Sequence, residues 1–247
     1  MRITIVLAVL VLTSSLFLSA GCNLILAQNS DDLVSSVTDP GAVDIGTSLI
    51  NPDSPLYFLK TLREKIETIL SGSDEIKLNR ELEFAQRRLR EVKSLVENKK
   101  QDPVVTVINK YNMHMDRVNK LAVSDSGLQA SVAEAVARHL DVLQRVYDTV
   151  GNPQAKNAIL AAIERSEEHN RDLLGKLEIV TQQKLIKKIA SRQAFACKFL
   201  AREASTSGLS ENDREDLAQR VKLCKESART NLRDELIEKS QKIIPTP

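Results

Sequence analysis

Apolar residues recur at alternating intervals of four and three through most of this chain, and that period excludes most folds. Leu78, Leu82, Ala85, Leu89, Val92 and Val96 form one such row, and Val104, Ile108, Tyr111, Met115, Val118 and Ala122 form a second. Val136, Leu140, Leu143, Tyr147 and Val150 nearly repeat it. On an α-helix this spacing draws one apolar stripe, the seam along which helices pack at a shallow angle in a left-handed, coiled-coil-like bundle. No stretch alternates with the two-residue period of a strand. With 28 % charged residues, 3 % aromatics, no Trp and 8 Gly, burial must come from aliphatic stripes rather than aromatic anchors. The expected fold is all-α: an elongated antiparallel helical bundle with a C-terminal helical hairpin.

Stop and start signals divide the periodic stretches. Asp53 or Ser54 can cap a helix that opens at Pro55; Ser71-Gly72-Ser73-Asp74 ends one helix and starts the next; Asp102-Pro103 and Gly151-Asn152-Pro153 repeat the pattern of cap followed by proline. Gly208 and the pair Ser210 and Asp213 mark a last stop and start. Each has a mechanism: a side-chain oxygen accepts from an orphan helix amide, and glycine takes the left-handed conformation at helix ends. The expected helices are 55–70, 75–99, 103–122, 127–150, 153–206 and 211–243, with neighbours antiparallel because the links are short. After Pro153 at their start, residues 153–206 hold no further Pro and one Gly, Gly175. They form either one helix of about 80 Å, straight or bent, or two helices broken between Gly175 and Gln183. The long helix is the favoured alternative.

The N-terminus is a different material. Arg2 is followed by an apolar run, and no further charge occurs before Asp31. A basic residue ahead of such a run reads as an export signal, and its length also suits a bilayer span, which needs about 20 residues. Leu18-Ser19-Ala20-Gly21-Cys22 resembles the bacterial lipobox, in which a small residue precedes the cut and the cysteine after it receives lipid. Leu18 lies one place further upstream than is usual. Three outcomes follow: lipid attachment at Cys22, cleavage after Ala27, or an uncleaved anchor. The expected location is extracytoplasmic, attached to the bacterial membrane by lipid or helix, or secreted. Residues 28–53, rich in Ser, Asp, Gly and Thr, read as a flexible tether. The expected organisation is therefore signal or anchor (1–27), tether (28–53), helical bundle (54–175) and C-terminal hairpin (176–247).

Two cysteines test that hairpin. With the turn near residue 210, Cys197 and Cys224 fall level with each other on stripes of small residues, Ala190, Ala194, Ala201 and Ala204 facing Leu217, Val221 and Ala228. Close backbones permit a disulfide, which an oxidising compartment would preserve. The alternative is two reduced, buried thiols.

One motif resembles a known family. Pro52-Asp53-Ser54-Pro55-Leu56-Tyr57-Phe58-Leu59-Lys60, followed by a helix carrying Ala85, Arg88, Leu89 and Glu91, is similar to the bacterial domain of unknown function numbered 5667, over about residues 50–175. The resemblance implies an exported helical protein, membrane-tethered or secreted, and implies no activity. Within the entry motif Pro52, Ser54, Pro55, Leu56, Tyr57 and Lys60 read as the joint between tether and bundle, with Leu56 and Tyr57 folding down onto the helices.

Catalytic chemistry finds no foothold. His114, His139 and His169 each lack a Glu three residues earlier, so the di-metal bundle motif is absent. No zinc-protease motif, phosphate loop, dinucleotide fingerprint or nucleophile elbow occurs. Met113 and Met115 flank His114, but residues two apart on a helix face opposite ways. No catalytic residue, metal ligand or cofactor is expected, and a net charge of +2 gives no basis for nucleic-acid binding. Lys184, Lys187, Lys188 and Arg192 share one helix face and are a candidate surface contact for anionic headgroups or envelope polymers. The expected function is a non-catalytic extracytoplasmic protein, membrane-tethered through its N-terminus and acting by contact with a protein partner or envelope component. The alternative is an envelope sensor or carrier of a small ligand or metal ion.

Overall fold

The structure is a computed structural model that describes residues 34–35, 37–122, 126–177, 179–206 and 209–243. Among these, every regular element is helical: α1 (Tyr57–Ile69), α2 (Asp74–Glu97), α3 (Val104–Ala122), α4 (Ser126–Thr149), α5 (Pro153–Lys176), α6 (Ile179–Ala204) and α7 (Glu211–Ile243). The sequence signals act as expected at several boundaries. Ser73 caps α2, its hydroxyl accepting from the Ile76 amide at 3.3 Å, with Asp74 and Glu75 complementing the first turn. Asn152 caps α5 through the Ala155 amide at 3.0 Å, with Pro153 at the first position. Ser210 accepts from the Asp213 amide and its hydroxyl donates to the Asp213 carboxylate, a reciprocal lock at the start of α7. The start of α1 differs from expectation. Leu56 is its N-cap and offers no side-chain cap; Asp53 instead pairs with Lys100, 2.6 Å distant, and Ser54 Oγ accepts from the Leu56 amide at 3.3 Å.

Helices α2 to α5 run up and down in sequence, and the 4-3 rows form their shared core. Leu78, Leu89, Ile108, Tyr111, Met115, Leu140, Leu143, Ile159 and Ile163 are fully buried within it. Of the two methionines beside His114, Met115 lies in this core and Met113 outside it. Residues 153–206 are two helices, correcting the single long one favoured from sequence. Leu177 is extended (φ −72°, ψ 146°) and buried, and the chain reverses there. The pairs Glu134–Lys188, Asp141–Arg192 and Asp148–Arg202 show α6 running parallel to α4, hence antiparallel to α5. The reversal folds the C-terminal pair back on the same bundle. Arg220 of α7 reaches Glu168 and Glu164 of α5.

The α6–α7 hairpin is present with the expected register. Cys197 and Cys224 are joined, their Cα atoms 5.5 Å apart, among buried Ala190, Ala194, Ala228 and Leu200. A polar rung lies beside the bridge: the Asn231 amide donates to Gln193 Oε1 at 2.6 Å, and Gln193 donates to the Ser227 hydroxyl at 3.2 Å.

Residues 37–50 correct a second expectation. Instead of a free tether they form an extended strap across α6, α4 and α2. Its polar backbone groups find side-chain partners from the bundle, as buried main chain requires. The Val43 amide donates to Asp141 Oδ2 (2.8 Å) and the Ser48 amide to Ser94 Oγ (2.8 Å); Arg90 donates to the Ile45 carbonyl and Arg192 to that of Gly41. Asp39 pairs with Arg145 at 2.7 Å, and Val34 and Ile45 enter the core.

Candidate functional site

Helix α1 packs the wrong way round. Its charged face, not its apolar one, lies against α2. Lys60, Glu64 and Glu67 point inward at helical spacing and meet Arg80, Arg87, Arg88 and Glu91 of α2. Arg88, 1 % exposed at its side chain, is the centre. Its guanidinium donates to Glu64, to Glu91 at 3.0 Å and to the Tyr57 hydroxyl. Glu91 is wholly buried and closes the ring from the other side: Lys60 Nζ stands 2.5 Å from Oε1, and the Tyr57 hydroxyl donates to Oε2 at 3.1 Å. Lys60 also donates to Ser48 Oγ and the Ile50 carbonyl, both at 3.2 Å, and so ties the strap to the same cluster. Lys110 of α3 lies 4.9 Å from the Tyr57 ring centroid. Burial, and then the charge of Glu91, push the Tyr57 phenol well above its ordinary pKa, so it stays neutral and donates.

The two halves of the sequence motif are therefore one object. Tyr57 and Lys60 come from the entry stretch, Arg88 and Glu91 from the helix after it, and they converge on a buried ionic clamp. Pro52, Ser54 and Pro55 shape the turn into α1, where the Ser54 amide donates to the Asn51 carbonyl at 2.9 Å and the Tyr57 amide to the Ser54 carbonyl at 3.0 Å. Leu56 does not fold down as expected; it is half exposed.

The consequence is an apolar ridge facing outward. Phe58, Leu59, Leu62, Ile66, Ile69 and Leu70 occupy the arc of α1 opposite the clamp, and Ile69 and Leu70 are 81 % and 77 % exposed. In a helix ordered by hydrophobic burial this stripe would face the core; here it is left in water, a pattern that marks contact surfaces. A groove flanks each side of the ridge. One, of about 400 Å³, lies between the end of α1 and α2 and α3, and carries Lys77, Arg80, Arg117 and Lys120 against one acid, Glu81. The other, of about 600 Å³, lies between α1, α2 and the strap, and carries Lys60, Arg63, Arg87 and Arg90 against one acid, Glu83.

Residues 49–153 match the family model for the domain of unknown function DUF5667. This segment is a DUF5667 domain. No curated protein and no solved structure matches the chain. The DUF5667 match covers the clamp, the ridge and helices α1 to α4, and stops at the first residue of α5 rather than near residue 175. Yet α5 completes the core of the DUF5667 helices: Ile159 and Ile163 are buried, and the Ser166 hydroxyl lies 3.1 Å from that of Tyr111.

The other residues singled out from sequence do not converge. His139 is buried beside Tyr111, 3.5 Å from its hydroxyl, and burial lowers its pKa to about 3, so it is a neutral core residue. His114 pairs with Glu81 at 2.6 Å, and His169 lies on α5. Among the described residues no group of three or more His, Cys, Asp or Glu is placed to hold a metal ion. No described helix is long and apolar enough to cross a membrane. Of the basic face expected on α6, Arg192 turns inward to Asp141 at 3.5 Å and to the strap, and Lys188 is exposed 3.6 Å from Glu134. The side chains of Lys184 and Lys187 lie outside the described residues, as does Cys22. The ridge itself was missed from sequence. Its signal was present in Phe58, Leu62, Ile66 and Ile69, but which face turned outward was not.

Proposed function

We propose that this protein is a non-catalytic, extracytoplasmic helical module, tethered to the bacterial membrane through its N-terminus and acting by surface contact through the ridge of α1. The observation that carries this reading is the inversion of α1. A buried clamp of five charged and polar side chains holds its polar face down, and the apolar face is thereby presented outward on a rigid support. Burying charges is costly unless they are fully paired, so the clamp is an expensive way to attach a helix. Burying the stripe of Phe58, Leu62 and Ile66 would have been the cheaper one. The apolar run after Arg2 and the lipobox-like Leu18–Cys22 support the location.

The test uses the full-length chain in the cells that make it, with a photo-crosslinking residue at Leu62 or, as control, at Leu223 on the exposed face of α7. Adducts from position 62 and none from 223, on protein recovered from the envelope, are expected. A chain recovered from the cytoplasm, or equal yields from both positions, would refute the proposal. The intact mass of the extracted protein reads the attachment: a mass that begins at Cys22 and carries acyl chains is expected, and one that begins at Gln28 removes the tether.

A further inference from the structure

We infer that the occupant of the α1 ridge is an anionic bilayer surface, with Phe58, Leu62, Ile66 and Ile69 entering the acyl boundary and the two flanking grooves receiving lipid phosphates. The inference deepens the contact reading above and names its partner.

Charge at the edges of the ridge decides between occupants. Around the helix, Lys65 borders the apolar arc on one side and Arg63 on the other, both exposed. Beyond them each groove carries four cations against a single acid. Most of this charge is met from within: Arg63, Arg80 and Arg87 share Glu67 and Glu83, Lys77 meets Asp74, Arg117 meets Glu81, and Lys60 meets Glu91. Lys65 and Lys120 have no such carboxylate among the described residues. A second copy of this chain, packed ridge to ridge, would bring Lys65, which no described carboxylate offsets, against its own counterpart, and like charges repel. An apolar strip bordered by cations on both sides instead matches a layer whose charge is anionic and whose interior is hydrocarbon. Amphipathic helices that lie in the membrane interface have this form.

Geometry and connectivity point the same way. The ridge is convex and one helix wide, about 20 Å long. Thirty-three residues precede the first described one, Val34, and include the apolar run. The stretch from Cys22 to Val34 reaches up to about 40 Å, so a chain anchored near Cys22 holds the bundle within reach of the bilayer at high effective concentration.

The chain contains no Trp, which makes a direct test available. Full-length protein carrying Leu62→Trp, and separately Leu223→Trp, is mixed with vesicles of phosphatidylcholine alone or with phosphatidylglycerol, each with and without brominated acyl chains. For Leu62→Trp the inference requires an emission shift to shorter wavelength and quenching by brominated lipid in the anionic vesicles. Leu223→Trp should show neither. Replacing Lys65 or Lys120 by Gln should weaken the ridge's binding about fivefold each, with circular dichroism unchanged because both side chains are exposed. Flotation of the same samples reports the tether independently. Protein that floats with Leu62→Trp unquenched keeps the tether and overturns the inference. Protein that floats only on anionic vesicles, with Leu62→Trp quenched, upholds the inference and overturns the tether. A wavelength shift without lipid quenching means that another protein surface, such as a second copy, covers the ridge, and also overturns the inference.

Discussion

Replacing Arg88 by Met should detach α1 from an otherwise intact bundle. Arg88 is buried and binds three partners at once, Glu64, Glu91 and Tyr57. Methionine fills much of the aliphatic volume, so packing changes little and the loss is electrostatic. Breaking one side of a buried ion pair costs about 3–5 kcal/mol, because the partner's charge stays buried without compensation. Two residual contacts moderate the cost. Glu91 keeps Lys60 at 2.5 Å, and Glu64 keeps Arg87 at 3.6 Å. The expected destabilisation is therefore near the lower limit, about 3 kcal/mol, a large share of the 5–15 kcal/mol typical of a domain.

The assay is urea unfolding of the full chain, paired with hydrogen exchange resolved by segment. Arg88→Met should lower the midpoint and raise exchange of the α1 amides well before those of α2 to α5, since α1 is fastened mainly by the clamp. Adding Glu64→Leu to Arg88→Met should recover much of the loss, because the second change removes a carboxylate left unpaired. Arg88→Lys should not rescue, since an ammonium lacks the fork that reaches Glu64 and Tyr57 together. A loss below about 1 kcal/mol, the scale of an exposed pair, with α1 protection unchanged, would refute the clamp as the device that holds α1.

Three further outcomes follow from other parts of the fold. Reducing the Cys197–Cys224 bridge, or replacing both residues by Ser, should cost about 3–4 kcal/mol for a loop of 27 residues, read as a reductant-dependent shift of the urea midpoint. Burial raises Glu167 to about 7, with Arg171 beside it opposing the shift. Its folded pKa exceeds the unfolded one, so its contribution is complete below about pH 4.5 and is lost as pH rises through 7. Glu167→Gln should therefore flatten the fall in melting temperature between about pH 5 and pH 8, and parallel profiles for variant and parent would contradict this. Asp141→Ala leaves the Val43 amide and Arg145 without their shared acceptor, which should cost about 1–3 kcal/mol and open residues 37–50 to proteolysis while α2 to α5 stay resistant.

The 4-3 rows made α2, α3 and α4 legible because their partners lie along the same stripes, and the level positions of Cys197 and Cys224 followed from hairpin geometry alone. The reversal at Leu177 was not legible. Gly175 marks the neighbourhood, but the turn exists because Leu177 is buried once α6 returns beside α4, and that is a tertiary fact. The strap was hidden for a similar reason. Ser, Asp and Gly read locally as a linker, while the groups that fix it, Ser94, Asp141, Arg145 and Arg192, lie far along the chain. Helix α1 shows the limit most sharply. Its sequence declares two faces, and hydrophobic burial assigns the apolar one inward by default. The opposite assignment was encoded in pairs: Lys60, Glu64 and Glu67 at helical spacing in α1 complement Arg87, Arg88 and Glu91 in α2. A stripe held outward by a complementary charged face elsewhere in the chain carries different information from a stripe alone. A buried clamp that forgoes the default packing is consistent with a helix kept for what it touches outside.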